Sequence, residues 1–240
     1  MMISIIIPTR NEEKAIGRTL ESLRNGLKGV PHEIIVADDG SLDKTRAIAR
    51  RYGVLIAGAK EKKNIPTGKN RGAKFARGEY LVFLDADVTM KDPAAFFKKA
   101  VKHFEDNPRL VGLGCFIRIV PETETKSDIF FRSLFNYFNL FVNNVLHLGT
   151  GPGEFQMVRR SAFKKIGGFD VTLSAGEDND LFARLSKIGD TRFDKNLVVY
   201  EQGRRAHKVG WLKLYTIWIF NGTMVALFKR PLSKEWKEIR

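Results

Sequence analysis

Four short apolar runs, each closed by a polar turn and followed by a segment of helical period, constrain this chain more than any other feature. Ile3 to Ile7 ends at Pro8, and Glu33 to Ala37 ends at Asp38-Asp39-Gly40-Ser41. Val54 to Ala57 is the third run, and Tyr80 to Leu84 ends at Asp85-Ala86-Asp87. Near-continuous apolar runs of this length read as strands buried on both faces. Between them, Ala15, Ile16, Leu20 and Leu23 give one helix an apolar face, with Asn11 as its cap and Glu12 and Glu13 in its first turn. Ser41 or Asp43 is placed to cap the next helix, and Gly68 to Arg77 reads as another. Strands that alternate with helices imply an α/β fold around a mostly parallel sheet.

That topology gives the acidic turns a shared address. In open parallel sheets, ligands bind outside the carboxyl ends of the strands. Asp38 and Asp39 follow the second strand, Asp85 and Asp87 the fourth, so both pairs are expected to open into one crevice. Taken alone, Asp38-Asp39-Gly40-Ser41 is ordinary turn chemistry. Asp-Ala-Asp after a strand as apolar as Leu81-Val82-Phe83-Leu84 reads instead as a site for a cation or a polar substrate.

Composition narrows the partner. The 240 residues carry 41 Lys and Arg against 27 Asp and Glu, a formal charge of +14, which points to an anionic partner without choosing among nucleic acid, a membrane surface and a phosphorylated substrate. The single cysteine, Cys115, rules out an intrachain disulfide, fits a reducing compartment and lies in an apolar run that reads as core. No signal peptide is evident before Ile3, so the body is expected in the cytoplasm, working on the cytoplasmic face of a membrane.

The second half changes character. Asp128 to His147 has helical period, with Phe130, Leu134, Phe138, Phe141 and Val145 in one stripe and Phe131, Phe135, Val142 and Leu146 beside it. Arg132, Asn136, Asn139 and Asn143 take the opposite face. This pattern reads as a helix laying its apolar stripe on the sheet, a membrane or acceptor surface being the alternative. Gly149, Gly151 and Gly153 then suggest a close backbone approach or a mobile loop. Trp211 to Phe228 is apolar on most sides but falls short of the roughly 20 residues of a membrane span. Arg204, Arg205, Lys208 and Lys213 precede or enter it, and Lys229, Arg230, Lys234 and Lys237 follow. Apolar aromatics between basic flanks read as a helix lying in an anionic membrane interface; packing on the body or in a dimer is the alternative. The expected division is a catalytic domain over 1–205, with a nucleotide-binding half 1–90 and an acceptor half 91–205, and a C-terminal hydrophobic helix over 206–240.

Two nucleotide-site classes are unsupported. There is no Gly-x-x-x-x-Gly-Lys-Ser/Thr loop and no Gly-x-Gly-x-x-Gly after the first strand. Lys69, Asn70 and Arg71 still offer charge to a diphosphate. The succession Ile5-Ile6-Ile7-Pro8-Thr9-Arg10-Asn11-Glu12, Ile34-Ile35-Val36-Ala37-Asp38-Asp39-Gly40-Ser41, Asn70-Arg71-Gly72, Ala76-Arg77-Gly78-Glu79-Tyr80 and Asp85-Ala86-Asp87 resembles family 2 glycosyltransferases of the GT-A fold. The resemblance continues through Val158-Arg159-Arg160-Ser161-Ala162-Phe163, Gly167-Gly168-Phe169-Asp170, Gly176-Glu177-Asp178 and Asp180-Leu181-Phe182-Ala183-Arg184-Leu185.

The resemblance implies a Rossmann-like nucleotide-sugar site and roles position by position. Pro8, Thr9, Arg10 and Glu12 would line the nucleotide pocket, and Asp39, or alternatively Asp38, would hydrogen-bond the base. Lys69 and Arg71 would serve the donor diphosphate. Asp85-Ala86-Asp87 would be the DXD motif, Asp85 facing the ribose or a metal-bound water and Asp87 binding Mn²⁺ or Mg²⁺. His207 is the candidate for a late histidine ligand to that metal. Arg10 stands where relatives often carry a tyrosine, which leaves UDP against GDP open. Asp178, aided by Glu177, matches the family's general base; taken alone, these two acids would be ordinary first-turn helix residues.

Chemistry agrees with these roles. A departing nucleoside diphosphate gains negative charge that a carboxylate-held divalent cation neutralises. An acceptor hydroxyl needs a base opposite the leaving group, whereas a polyprenyl phosphate is already ionised and needs none. Gly176-Glu177-Asp178 therefore favours a saccharide or glycolipid hydroxyl and a single, inverting displacement; a polyprenyl-phosphate acceptor is the alternative. A nucleotidyltransferase would carry a Gly-rich loop where Pro8-Thr9-Arg10-Asn11 stands, and no nucleic-acid-binding motif accompanies the positive charge, so no nucleic-acid partner is expected.

Overall fold

The computed structural model describes residues 1–59 and 63–231. Among these residues seven strands form one sheet: β1 (Ile3–Thr9), β2 (His32–Asp38), β3 (Leu55–Ile56), β4 (Tyr80–Leu84), β5 (Leu110–Ile119), β6 (Phe155–Arg159) and β7 (Asp190–Glu201). Their spatial order is β3-β2-β1-β4-β6-β5-β7. All neighbouring pairs are parallel except those made by β6, which runs antiparallel to both β4 and β5. The mostly parallel sheet expected from the apolar runs is thus present, and Tyr80–Leu84 keeps the bounds read from sequence.

Among the described residues nine helices accompany the strands: α1 (Ile16–Gly26), α2 (Thr45–Arg51), α3 (Ile65–Phe75), α4 (Pro93–Asp106), α5 (Lys126–Asn144), α6 (Arg160–Lys165), α7 (Glu177–Leu185), α8 (Arg204–Val209) and α9 (Trp211–Phe228). Two cores form on opposite faces of the sheet. One contains Ile5, Ile7, Val82 and Leu84 with the apolar faces of α1 and α4; the other contains Ile6, Ile35, Leu81 and Phe83 with α6 and α7. Alternate residues of the same strands face the two cores, as a two-sided parallel sheet requires. Cys115 is fully buried among apolar side chains, as read.

Several local readings change. Asn11 does not cap α1, which begins at Ile16 with no side-chain cap. Asn11 adopts a positive φ of 51°. Its backbone N–H donates to Ser41 Oγ and its side-chain oxygen accepts from the Leu42 N–H, so it ties the loop after β1 to the loop after β2. Neither Ser41 nor Asp43 caps α2, whose N-cap is Lys44. Helix α3 starts earlier than read because Asn64 accepts from the Thr67 N–H and Pro66 fits the first turn.

The largest correction concerns α5. Its buried face is Asp128, Arg132, Asn136, Asn139 and Asn143, while Phe130, Leu134, Phe138, Phe141 and Val145 are each at least 49% exposed. The reading that its apolar stripe packs on the sheet is overturned. The reason is backbone accounting. Strand β6 pairs with β5 only at Gly112 and Leu113, leaving the peptide groups of Ile117 to find other partners. Asn136 supplies both, accepting from the Ile117 N–H at 3.0 Å and donating to its carbonyl at 2.9 Å. Asn144 treats Phe193 in the same way, and Asn143 treats Thr150 so. An asparagine side chain carries a peptide-like donor and acceptor, so it replaces a missing strand neighbour.

Helix α9 packs on α5 through Phe131, Phe135, Trp211, Tyr215 and Trp218, with Phe131 and Trp211 stacked at 5.6 Å. Leu212, Ile219, Phe220 and Phe228 remain exposed. No described helix is long and apolar enough to cross a membrane. Lys234 and Lys237 of the expected basic flank lie outside the described residues.

Candidate functional site

The carboxyl ends of β1, β2 and β4 open into one cleft of about 830 Å³, within the size range of small-molecule sites. Pro8, Thr9, Arg10, Glu12, Asp39, Lys69, Asp85, Ala86, Asp87, Glu177 and Asp178 all line it. The two acidic turns therefore converge, as the topology implied, and α7 brings the second-half acids to them. Asp38, Arg71 and His207 are not among its lining residues.

The two alternatives for the base contact separate. Asp38 is fully buried and accepts from Thr9 Oγ1, the Ser41 N–H and hydroxyl, and the Arg46 guanidinium. Burial would raise its carboxyl, but these donors outweigh burial and hold it below the ordinary range. Asp38 thus fastens the turn. Asp39 faces the cleft. Its Oδ2 accepts from the Lys63 N–H at 2.9 Å, and its Oδ1 has no hydrogen-bond partner among the described residues, with the Arg71 guanidinium 3.5 Å away. Arg71 donates to the Ala57 and Asp38 carbonyls, behind the cleft, and Arg10 donates to the Asp39 carbonyl at its edge.

Around the Asp-Ala-Asp turn, negative charge accumulates. Burial raises the Asp85 carboxyl well above its ordinary value; Lys69 pulls the other way, and Asp87, Glu154 and Asp178 add to the rise. The guanidinium of Arg204 lies against Asp87 Oδ2 at 3.0 Å and Glu12 Oε2 at 3.2 Å. Among the described residues no three His, Cys, Asp or Glu side chains group to hold a metal by themselves. Asp85 and Asp87 still fit a hard cation that takes one or two carboxylates and completes its shell with phosphate and water, because the crowded carboxylates are all-oxygen donors that a cation would relieve. His207 is directed elsewhere: its Nε2 meets Asp128 Oδ2 at 2.9 Å, at the start of α5. Arg204 and His207 share α8, a helix flanked by Gly203 and Gly210, both at positive φ.

The expected base residues open α7. Gly176 precedes it in a left-handed conformation, and Glu177, Asp178 and Asp180 fill the first turn, where the helix dipole favours acids. Asp178 Oδ1 lies 2.5 Å from Lys69 Nζ. Its Oδ2 faces Gly153, where an added Cβ would lie only 2.6 Å away. The glycine run thus marks a close approach, as read. Glu177 lies 3.4 Å from Lys69 Nζ; burial and the neighbouring Asp178 raise its carboxyl to about 7 against the pull of Lys69.

Sequence reading passed over Arg204, Glu154 and Arg132. Arg204 reads as one more basic flank residue, and nothing in its spacing reveals that it reaches Asp87. Arg132 is buried, pairs with Glu154 and Glu201, and sits over the Trp211 and Trp218 rings. An arginine and three asparagines on one helix face were the available signal.

A sheet of this order with its cleft at the strand ends has the GT-A architecture. The mannosyltransferase PcManGT from Pyrobaculum calidifontis, solved with GDP-Man and Mn²⁺, superposes with a TM-score of 0.77 at 19% identity, covering 94% of this chain and 64% of that one. Residues 1–349 of TarS from S. aureus, solved with UDP-GlcNAc, give a TM-score of 0.65 at 19% identity, over 83% of this chain and 58% of that one. The sequence matches the profile of glycosyl transferase family 2 over residues 4–167, and the chain belongs to that family. It is 28% identical over 222 residues to the putative glycosyltransferase CsbB of Bacillus subtilis, covering 85% of this chain and 60% of that protein. It is 34% identical over 143 residues to a 4,4'-diaponeurosporenoate glycosyltransferase of Staphylococcus aureus, and 34% identical over 92 residues to a dolichol-phosphate mannosyltransferase of Pyrococcus furiosus. These matches cover 58% and 37% of this chain, and 36% and 26% of those proteins. The chain therefore spans less than two thirds of the length of these curated relatives.

Proposed function

We propose that this chain is an inverting glycosyltransferase that moves a sugar from a UDP- or GDP-sugar, with divalent-cation assistance, to an acceptor hydroxyl. One observation carries the reading: Asp178 lines the same cleft as Asp39, Asp85 and Asp87. Residues 1–90 form the donor half and 91–205 the acceptor half. Asp39 Oδ1 takes a base N–H, with Pro8, Thr9, Arg10 and Glu12 lining the nucleotide pocket. Asp85 and Asp87 would hold Mn²⁺ or Mg²⁺, which when bound neutralises charge on the departing diphosphate. Asp178 takes the proton of the acceptor hydroxyl.

The relatives named as 4,4'-diaponeurosporenoate glycosyltransferase and dolichol-phosphate mannosyltransferase support a lipid acceptor. So does the exposed stripe of α5. Helices α5 and α9 contribute Phe135, Leu214 and Trp218 to the cleft and present Phe130, Phe138, Phe141 and Phe220 outward. An apolar surface this continuous marks an interaction site. Exposed Lys208 and Lys213 lie just before and within α9, so the occupant of this face on this reading is an anionic bilayer surface, and the domain works peripherally at the cytoplasmic leaflet.

The acceptor decides between two chemistries. The deciding experiment is transfer by Asp178→Asn, with UDP and GDP affinity measured by calorimetry in Mn²⁺. Loss of transfer by about 10²–10⁴-fold with nucleotide affinity retained supports the base and a hydroxyl acceptor. Full transfer by Asp178→Asn sinks the base and favours a polyprenyl phosphate, whose oxygen is already ionised.

A further inference from the structure

We infer that Lys69 is a positioning residue that fixes the carboxylate of Asp178, rather than a ligand of the donor diphosphate as its sequence position suggests; this rests on Asp178 being the base. Lys69 is 1% exposed, which is rare for lysine, and it projects from α3 beneath the start of α7. Its Nζ meets Asp178 Oδ1 at 2.5 Å and Glu177 Oε1 at 3.4 Å, and lies 4.9 Å from the centroid of the Phe169 ring. Burial alone would discharge it, but Asp178, Glu177 and Asp85 outweigh burial and hold the ammonium charged.

The consequence is an asymmetric carboxylate. Oδ1 of Asp178 is held by a charge-assisted bond, which is short and strong. Oδ2 turns to Gly153, the only kind of residue that leaves room for it. One oxygen is therefore anchored by Lys69, and the other lies against Gly153, which lines the cleft together with Asp178. Asn70, the next residue of α3, reinforces the alignment. It accepts from the Phe169 N–H and donates to the Phe169 carbonyl, so the ring beside Lys69 is tied to the same helix. The ammonium of Lys69 makes its closest contact with Asp178 and a second with Glu177, whereas Arg204 faces the Asp-Ala-Asp turn directly.

The test separates this inference from the base assignment. Sugar release from GDP-mannose and UDP-N-acetylglucosamine in Mn²⁺ is followed for wild type, Lys69→Met, Lys69→Arg, Asp178→Asn and Lys69→Met/Asp178→Asn. Lys69→Met is expected to lower kcat about 10–100-fold, with donor KM and the Kd of UDP and GDP within threefold of wild type. Lys69→Arg restores part of that loss, and the double variant is no slower than Asp178→Asn alone. A tenfold rise in UDP or GDP Kd with kcat retained makes Lys69 a diphosphate ligand and overturns the inference. If Asp178→Asn releases sugar at the wild-type rate, the base reading fails instead. A second measurement needs no active or folded Lys69 variant: the ¹⁵N signal of the Lys69 ammonium, the one buried lysine among the described residues, shifts in Asp178→Asn. An unmoved ammonium signal overturns the anchoring itself, whatever the kinetics show.

Discussion

Helices α4 and α5 flank the same sheet and solve opposite problems. Helix α4 follows the ordinary rule: Asp92 caps it, Pro93 opens it, and Phe96, Phe97, Ala100 and Phe104 enter the core while Lys98 and Lys102 face water. Helix α5 is amphipathic too and faces the other way. Its capping box of Thr125 and Asp128 is sound, yet its inner face is Asp, Arg and Asn. The difference lies in what each helix covers. Helix α4 covers apolar side chains of strands whose peptides are paired. Helix α5 covers backbone groups that lack a strand neighbour, and there an asparagine stabilises more than a leucine would.

The comparison can be broken most forcefully at α4. Phe97→Ala removes a fully buried ring and is expected to lower unfolding free energy by about 3–5 kcal/mol, read from chemical denaturation. In α5 the corresponding loss comes from polarity. Asn136→Ala strands the Ile117 N–H and carbonyl, at about 2–3 kcal/mol. Asn136→Leu is no better, although it would stabilise a helix packed on its apolar side; a Leu variant more stable than wild type would undo the account of α5.

A pH series sharpens the contrast further. Burial would raise the Asp128 carboxyl, but hydrogen bonds from His207, Thr125 and Trp211 prevail and hold it at about 2, below the ordinary 3.8. Because the folded value is depressed, the stabilisation is fully present above pH 4 and is lost as pH falls through about 2. The whole swing is about 2 kcal/mol. Asp128→Asn should flatten the stability curve between pH 4 and 2, and an unchanged slope would show that other acids produce it. The smallest stability effect belongs to the outer face. Phe138→Ser with Phe141→Ser should stay within about 0.5 kcal/mol of wild type, while binding to vesicles containing anionic lipid in sedimentation falls at least tenfold. Unaltered vesicle binding would remove the bilayer from the account of that face.

The same contrast explains what could be read in advance. The sheet, the strand-end cleft and the convergence of Asp39, Asp85 and Asp87 were legible because apolar runs and acidic turns are local signals whose placement follows from topology, whereas Asp178 was legible only through the family resemblance. The α5 period was legible too, but its polarity was not. Whether the apolar or the polar stripe turns inward depends on where β6 stops pairing with β5, which no residue of α5 encodes. Lys69 shows a similar limit. A lysine beside an asparagine and an arginine suggests phosphate, and only the fold brings Asp178, 109 residues away, to its ammonium. His207 and Arg204 show it within one helix, three positions separating a residue turned to α5 from one turned to the cleft.

That last pair makes α8 a spacer of fixed length. Arg204 grips Asp87 and Glu12 at one end and His207 grips Asp128 at the other. With one helical turn between them, the number of residues sets the span. A single residue inserted at 205 would rotate one grip by about 100° relative to the other, so both cannot be kept. The segment therefore tolerates changes of side chain far better than changes of length, and a deletion there would separate Asp87 and Glu12 from the helix pair that faces outward.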